Sequence, residues 1–374
     1  MPETDEMKNA VSYALLYLQQ HGKGAPTMPE LREAAGAVVG MMSVMNATVD
    51  REELVRQLEA IVNVRMGEAS ILDKKNDSDH QAWLPAHRGD INWKFWNRYS
   101  WYLQNQVGIP AAVIARMHEI TDMILERLEN PHRPSPWDRR GMVVGDVQSG
   151  KTSNYNGLIC KAADAGYSAI IILAGMHNSL RSQTQDRVDV GFLGFDFEKS
   201  FSYENDGKGI GIGLLPHGDY QNVHVMTLTS SEPKGDFGKA VAEELGVDPL
   251  GATPTVIHVK KNKSILEHLC NWLNDRTGDA AVLVIDDEAD IASVDKSSVL
   301  ELVENSEEQT STAINRMICT LLMKFKKRAY VGYSAAPFAS MFFPNTVDNP
   351  ENGPDLYPSA FILNNAHHGP EWMF

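Results

Sequence analysis

Apolar residues recur every three to four positions through about the first 130 residues, and no alternating stretch interrupts them. The pattern predicts helices joined by polar turns. Asn9 to Gln20 is the first of them, with Val11, Leu15 and Leu18 on one stripe. Thr27-Met28-Pro29-Glu30 and Asp50-Arg51-Glu52-Glu53 each set an oxygen-bearing side chain three residues before a glutamate. That spacing satisfies the open amide donors of a helix start, so two more helices are expected to begin there. Pro110 to Asn130 aligns Val113, Met117, Ile120, Ile124 and Leu128, and Pro131 stops the run.

From Gly141 the pattern changes to short apolar runs, each followed by a helical stretch, which is the signature of a parallel α/β sheet. The predicted strands are Met142 to Val144, Ser168 to Leu173, Val223 to Leu228, Thr255 to Val259, Ala281 to Ile285 and Ala329 to Gly332. Several are apolar throughout, as strands covered on both faces should be. The Gly-rich stretch Gly207 to Gly213 follows no clear strand and reads as a flexible surface loop. Pro344 to Pro358 is rich in Pro, Asn, Asp and Gly and reads as a linker. The expected organisation is an all-helical region over 1–135, an α/β lobe over 136–343, and over 344–374 a linker that opens a missing C-terminal part.

Composition narrows the partners. Lys and Arg total 34 against 49 Asp and Glu, a formal charge of −15, so the surface as a whole repels a polyanion and any nucleic-acid contact must be a local patch. Cys160, Cys270 and Cys319 form no close pair, which argues against a disulfide framework or a thiolate zinc site and suits a reducing cytoplasm. The histidines, His367-His368 included, lack ligand spacing, so no structural metal is expected. No charge-free apolar run is long enough to cross a bilayer, and the acidic start is unlike a signal peptide. Trp83 and the aromatic run from Ile91 to Tyr102 are expected to pack with polar tips exposed rather than to stack on bases.

The strongest chemical signal is Gly145-Asp146-Val147-Gln148-Ser149-Gly150-Lys151-Thr152, a full G-x-x-x-x-G-K-[ST] between a predicted strand and a predicted helix. In such a phosphate loop, Gly145 and Gly150 let the backbone curl so that its amides, with Gln148 and Ser149 on the turn, cradle the phosphates of ATP. Lys151 neutralises the β and γ oxygens, and the Thr152 hydroxyl ligates Mg²⁺. The loop needs a metal-holding carboxylate on a neighbouring strand, and Ala281 to Ile285 runs into Asp286-Asp287-Glu288-Ala289-Asp290. One register has Asp287 holding Mg²⁺ through water and Glu288 deprotonating the attacking water; Asp286 is the competing candidate. Trp137 and Arg140 precede the loop strand and are candidates to flank the adenine.

Asp287-Glu288-Ala289-Asp290, with Ser334-Ala335-Ala336-Pro337 after a later strand, resembles the motifs of superfamily-two helicases and translocases. The run Gly145 to Leu158, the run Leu173 to Arg187 and Tyr333-Ser334-Ala335-Ala336-Pro337-Phe338-Ala339 are similar to the bacterial Z-one domain family of endonuclease-associated proteins, from about Trp83 to the terminus. This resemblance implies a RecA-like lobe of a helicase-like ATPase from restriction or anti-phage defence operons, acting on DNA beside companion methyltransferase or nuclease proteins. By the same resemblance, Arg181, Gln183 and Thr229 line a nucleic-acid backbone and Ser334 couples it to the nucleotide. The family continues into a second lobe with an arginine finger, so the chain ending at Phe374 is expected to bind nucleotide and to hydrolyse it weakly by itself.

Two other classes compete. A metal-dependent endonuclease would use Glu232-Pro233-Lys234 with Asp219, although Pro233 breaks the strand that usually carries such a trio. A nucleotide-dependent protein-interaction module would use the helical region to hold a partner without motor action.

Overall fold

A computed structural model of the chain describes residues 5–21, 28–44, 47, 49–62, 70–73, 77, 79–109, 111–145, 151–195, 209–215, 223–232, 235–238, 251, 253–289, 306–334, 356 and 358–364. They fall into two compact units, one drawing on Met1–Ala69 and Leu103–Ile120, the other on Ser70–Tyr102 and Thr121–Asn365.

In the first unit, α1 (Asp5–His21), α2 (Met28–Val44) and α3 (Arg51–Val62) are helical, as the apolar periodicity predicts. Small Ala10, Ala14, Ala34 and Ala35 let the helices approach, and Leu31, Leu54 and Leu58 fill the space between them. Asp50 starts α3 by accepting the Glu53 N–H at 2.9 Å. The Thr27 cap lies outside the described residues.

The second unit is mixed α/β around an eight-stranded sheet. In chain order its strands are β1 (Ser70–Asp73), β2 (Trp137–Val144), β3 (Ala169–Ala174), β4 (Met226–Thr227), β5 (Thr255–Lys260), β6 (Ala281–Asp287), β7 (Lys327–Ser334) and β8 (Phe361–Asn364). Their spatial order is β1-β8-β2-β7-β6-β3-β5-β4. Every pairing is parallel except β1 with β8. All six predicted strands are present, and the neighbouring inner strands β6 and β3 carry Ile170, Ile171, Ile172, Val282, Leu283 and Val284 fully buried. Helices close both faces. Around α7 (Lys151–Ala165) and α8 (Asn178–Val188) lies one layer; α9 (Lys263–Leu273) and α10 (Ser306–Met323) bring Leu266, Leu269, Trp272, Ile318 and Leu322 against Ile171, Leu173, Val282 and Val284 on the other. Each such buried aliphatic side chain stabilises the fold by roughly 1.5–3 kcal/mol.

Three expectations are corrected. The stretch 1–135 is not all helical, because β1 falls inside it; four residues carry too short an alternation to read, and pairing with β8 makes the strand. The stretch 344–374 is not only linker, since Phe361–Asn364 adds a parallel strand beside β2. Gly141 makes room for it: a Cβ there would stand 2.1 Å from the Phe361 ring. The Gly-rich stretch is partly docked rather than free, with Gly211–Leu214 a short 3₁₀ turn and Ile212 buried.

The aromatic segment packs as expected, except that its polar tips are not all exposed: Arg98 is buried and donates to Phe192 O at 2.6 Å. In α5 (Lys94–Tyr102), Phe95, Trp96 and Tyr99 are buried. The helix is tied to α7: Asp164 accepts the Phe95 and Trp96 N–H groups, both at 2.9 Å, and the Tyr99 hydroxyl donates to Ser153 O. Trp83 is buried too, before the short helix α4 (Leu84–His87), and its indole N–H donates to Glu126 O on α6 (Ala111–Leu128). The three cysteines are buried and form no disulfide with one another. No described helix is long and apolar enough to cross a membrane.

Candidate functional site

Parallel strands present their carboxyl ends along one edge of a sheet, and ligands of such sheets bind in the crevice there. On this edge Gly145 follows β2, Gly175 follows β3, Asp287 and Glu288 end β6, and Ser334 ends β7. β7 lies between β2 and β6, so the start of the phosphate-loop motif and the acidic tip are two strand spacings apart, roughly 10 Å. Backbone bonds lock the three ends together, with Gly145 N–H donating to Ser334 O at 3.0 Å and Ala289 N–H to Tyr333 O at 2.9 Å. Residues 146–150, including Gln148, Ser149 and Gly150, lie outside the described set, as do Asp290 and residues 335–339.

The two-residue period of a strand separates the neighbouring aspartates. Asp286 shares the face of Val282 and Val284, towards α9 and α10, where it is fully buried between Lys261 Nζ at 2.6 Å and the Tyr330 hydroxyl at 2.6 Å. Asp287 takes the opposite face, towards α7, and its Oδ2 accepts from the Tyr155 hydroxyl at 3.4 Å. The two carboxylates therefore differ in placement: Asp286 is committed to the core, and Asp287 faces α7. Burial pushes the Asp287 carboxyl above its ordinary range, opposed by the charges of Lys261 and Lys151 and reinforced by Asp286.

Thr152 and Tyr155 are three apart on α7 and so lie on one face of it. The Thr152 side chain lies close enough to the Tyr155 oxygen to influence its ionisation, so a single phenol stands between Thr152 and Asp287. Tyr155 is itself held edge-on by Tyr333, ring centroids 5.5 Å apart, and the Tyr333 hydroxyl donates to Asn154 Oδ1 at 3.0 Å. Arg187, at the end of α8, donates to Thr152 Oγ1 at 3.2 Å. A hydroxyl and a carboxylate are hard oxygen donors of the kind Mg²⁺ takes alongside substrate phosphates. Among the described residues there is no group of three His, Cys, Asp or Glu side chains that could hold a metal ion.

Glu288 adopts a left-handed backbone, φ 58°, unusual for a side chain with a Cβ. Lys261 stabilises that turn by donating to Glu288 O at 2.7 Å while pairing with Asp286. The Glu288 carboxylate reaches over Gly175, where an added Cβ would come within 3.1 Å of Oε2. Bare backbone at position 175 is what leaves room for it.

The remaining sequence candidates are placed differently. Arg181 is not a surface residue: it is buried, with Nη1 donating to Gln185 Oε1 and Ser230 O and Nη2 to Glu232 O. Thr229 is buried as well, its hydroxyl accepting the His258 N–H and its carbonyl the Gln185 amide. Gln183 is exposed on α8, and Ser334 is buried beside Gly145. Trp137 and Arg140 do not lie at the end of β2 where the phosphate-loop motif begins. They begin β2, where Trp137 packs edge-on against Tyr167 and Arg140 is clamped by Asp138, and Trp137 stands seven residues, roughly 23 Å of strand, before Val144. Glu232 sits on a turn after β4 rather than on a strand, and Asp219 and Lys234 lie outside the described residues.

Tyr155, Lys261 and Arg187 are absent from the sequence reading of the site. The i,i+3 spacing from Thr152 was a usable signal for Tyr155; Lys261 and Arg187 become visible only when β5 and α8 are in place. No family model matches the chain, and a search of curated proteins finds none similar to it.

Proposed function

We propose that the second unit is a RecA-like P-loop ATPase lobe that binds ATP with Mg²⁺ and, as a helicase-like or translocase-like component of bacterial restriction or anti-phage defence, acts on DNA beside methyltransferase or nuclease partners. The observation that carries the nucleotide reading is the convergence of Thr152 and Asp287 on one phenol, at the sheet edge where the phosphate-loop motif begins. Strand order supports it, since β7 between β2 and β6 brings Gly145, Ser334 and the acidic tip to one edge of the sheet.

Thr152 and Asp287 would hold the metal, which would supply positive charge to neutralise the phosphates. Lys151, in the first turn of α7, supports the same phosphate charge from the protein side. Glu288 is aimed from its left-handed turn into the crevice beside Gly175, where a carboxylate can orient a water and take its proton. Tyr155 keeps the Asp287 carboxylate facing α7.

Calorimetric titration of the full chain with Mg²⁺·ATP tests the reading. Saturable binding that Lys151→Ala removes is the expected result, and turnover lost in Glu288→Gln with binding kept would assign the proton acceptor. Absence of binding at millimolar ATP would overturn it. The nucleic-acid part predicts DNA affinity that falls steeply as salt rises.

A further inference from the structure

We infer that Arg187 is a second phosphate-binding cation of the nucleotide site, supplied by the same lobe as Lys151; the inference rests on the nucleotide reading above. Thr184 and Arg187 are three apart on α8, just as Thr152 and Tyr155 are on α7, and the two pairs meet face to face: Thr184 with Tyr155, Arg187 with Thr152. The backbone under the guanidinium is fixed, because the side chain of buried Asn156 on α7 donates to Arg187 O at 3.0 Å. Arg187 is therefore anchored to the loop helix at both ends, by its carbonyl and by its guanidinium.

The bonding of that guanidinium points to an anion. Among the described residues no carboxylate lies within ion-pair distance of it, although Asp186 and Asp189 are close in sequence. It is exposed and makes a bond of 3.2 Å to a neutral hydroxyl in the first turn of the helix that follows the phosphate-loop motif. An arginine held for a structural purpose at a surface normally finds a carboxylate or a carbonyl, whereas a planar fork of donors with no carboxylate partner among the described residues, set beside a helix N-terminus, is matched by phosphate oxygens. Thr152 has two lone pairs, so accepting from Arg187 leaves one for a metal, and the two roles are compatible. The ligand class is a nucleoside triphosphate, whose additional phosphate charge over the diphosphate gives a second cation something to stabilise.

The test compares wild type, Lys151→Ala, Arg187→Ala and Arg187→Lys of the full chain by calorimetric titration with Mg²⁺·ATP and Mg²⁺·ADP, with melting temperatures and ATP turnover alongside. Arg187→Ala is expected to weaken ATP binding by roughly tenfold to a hundredfold, the range of a charge-assisted hydrogen bond, to change ADP binding less than ATP binding, and to melt like wild type. Arg187→Lys is expected to recover part of the loss. If Lys151→Ala abolishes binding while Arg187→Ala binds and turns over ATP like wild type, the inference falls and the nucleotide site stands. Equal losses in the Ala and Lys variants with a lowered melting temperature would make Arg187 structural and also overturn it. If wild type binds neither nucleotide, the site reading fails and takes the inference with it.

Discussion

Asp286 and Asp287 are adjacent in the chain and face opposite layers of the protein, one ion-paired in the core with Lys261 and the other hydrogen-bonded over α7 by Tyr155. Their substitutions should therefore separate stability from chemistry. Removing one partner of a buried ion pair typically costs about 3–5 kcal/mol, because the other charge is left without compensation. Asp286→Asn is expected to lower the urea midpoint by a corresponding amount, and Lys261→Met to do less damage than Lys261→Ala by refilling the space. Asp287→Asn removes a charge that burial already disfavours, so it should leave the midpoint near wild type or above it while abolishing ATP turnover. Equilibrium unfolding of both variants, with turnover beside it, checks the pair.

The raised carboxyl of Asp287 also sets a pH dependence. A group whose folded pKa lies above its unfolded value binds its proton more tightly when folded, so its stabilising contribution is complete at low pH and is lost as pH rises through the folded value. Metal holding runs the other way, since only the ionised carboxylate ligates. Tyr155→Phe deletes a hydrogen bond that favours ionisation, so the acidic limb of Mg²⁺-dependent ATP binding is expected to move to higher pH. A limb that stays put would show that Asp287 does not govern it.

Gly175 offers a substitution that reaches Glu288 without touching it. An added methyl would stand 2.7 Å from Leu180 Cδ1 and 3.1 Å from Glu288 Oε2. The leucine tip can rotate, so Gly175→Ala should cost only about 1–3 kcal/mol of stability, while the displaced carboxylate loses its aim and turnover falls on the order of a hundredfold, the usual contribution of a positioned general base. Nucleotide affinity should be kept, and loss of affinity equal to the loss of turnover would break the link from Gly175 to Glu288.

How far the sequence reached depended on how local each signal was. β3 and β6 are continuous apolar runs and read directly, as did the helix start at Asp50. β1 and β8 did not, because each is four residues whose pairing is made by a partner far along the chain, and because the fit of Phe361 over Gly141 has no periodicity. At the site the loop motif and the acidic strand end were legible as types, yet Asp286 against Asp287 was undecidable until the side-chain parity of β6 was tied to which helices cover which face. Arg181 misled for a related reason: an arginine after a strand reads the same whether it points to solvent or, as here, into a turn.

His258 on β5 is buried with no hydrogen-bond partner for either ring nitrogen among the described residues, and burial, with the charge of Arg181 acting in the same direction, holds its pKa down to about 3. As pH falls from about 6.5 towards 3 the unfolded chain takes up a proton on this ring that the folded chain does not, so stability is lost across that window. His258→Leu removes both the unpaired nitrogens and the titration. It is expected to raise stability near neutral pH by about 1 kcal/mol and to flatten the acid limb of the melting temperature against pH. An unchanged acid limb would mean that other groups account for it.

Arg181 holds the turn after β4 through two backbone carbonyls, those of Ser230 and Glu232, at 2.7 and 2.5 Å. Within that turn Ser230 N–H donates to Gly235 O at 2.8 Å and Gly235 N–H to Glu232 O at 2.9 Å, so the guanidinium organises acceptors that the turn's own amides only partly satisfy. With Arg181→Ala, two buried carbonyls and the Gln185 side-chain oxygen lose a charged donor. Hydrogen bonds to charged groups contribute about 1.5–3 kcal/mol each and are not additive here, so a local loss of about 3 kcal/mol is the expectation. Opening of the turn should then become roughly a hundredfold more frequent. Hydrogen exchange at Ser230 and Gly235 should speed up by that factor, while Ile171 and Val284 in the central strands keep their protection. Equal acceleration at all four amides would instead mean that Arg181 supports the whole sheet.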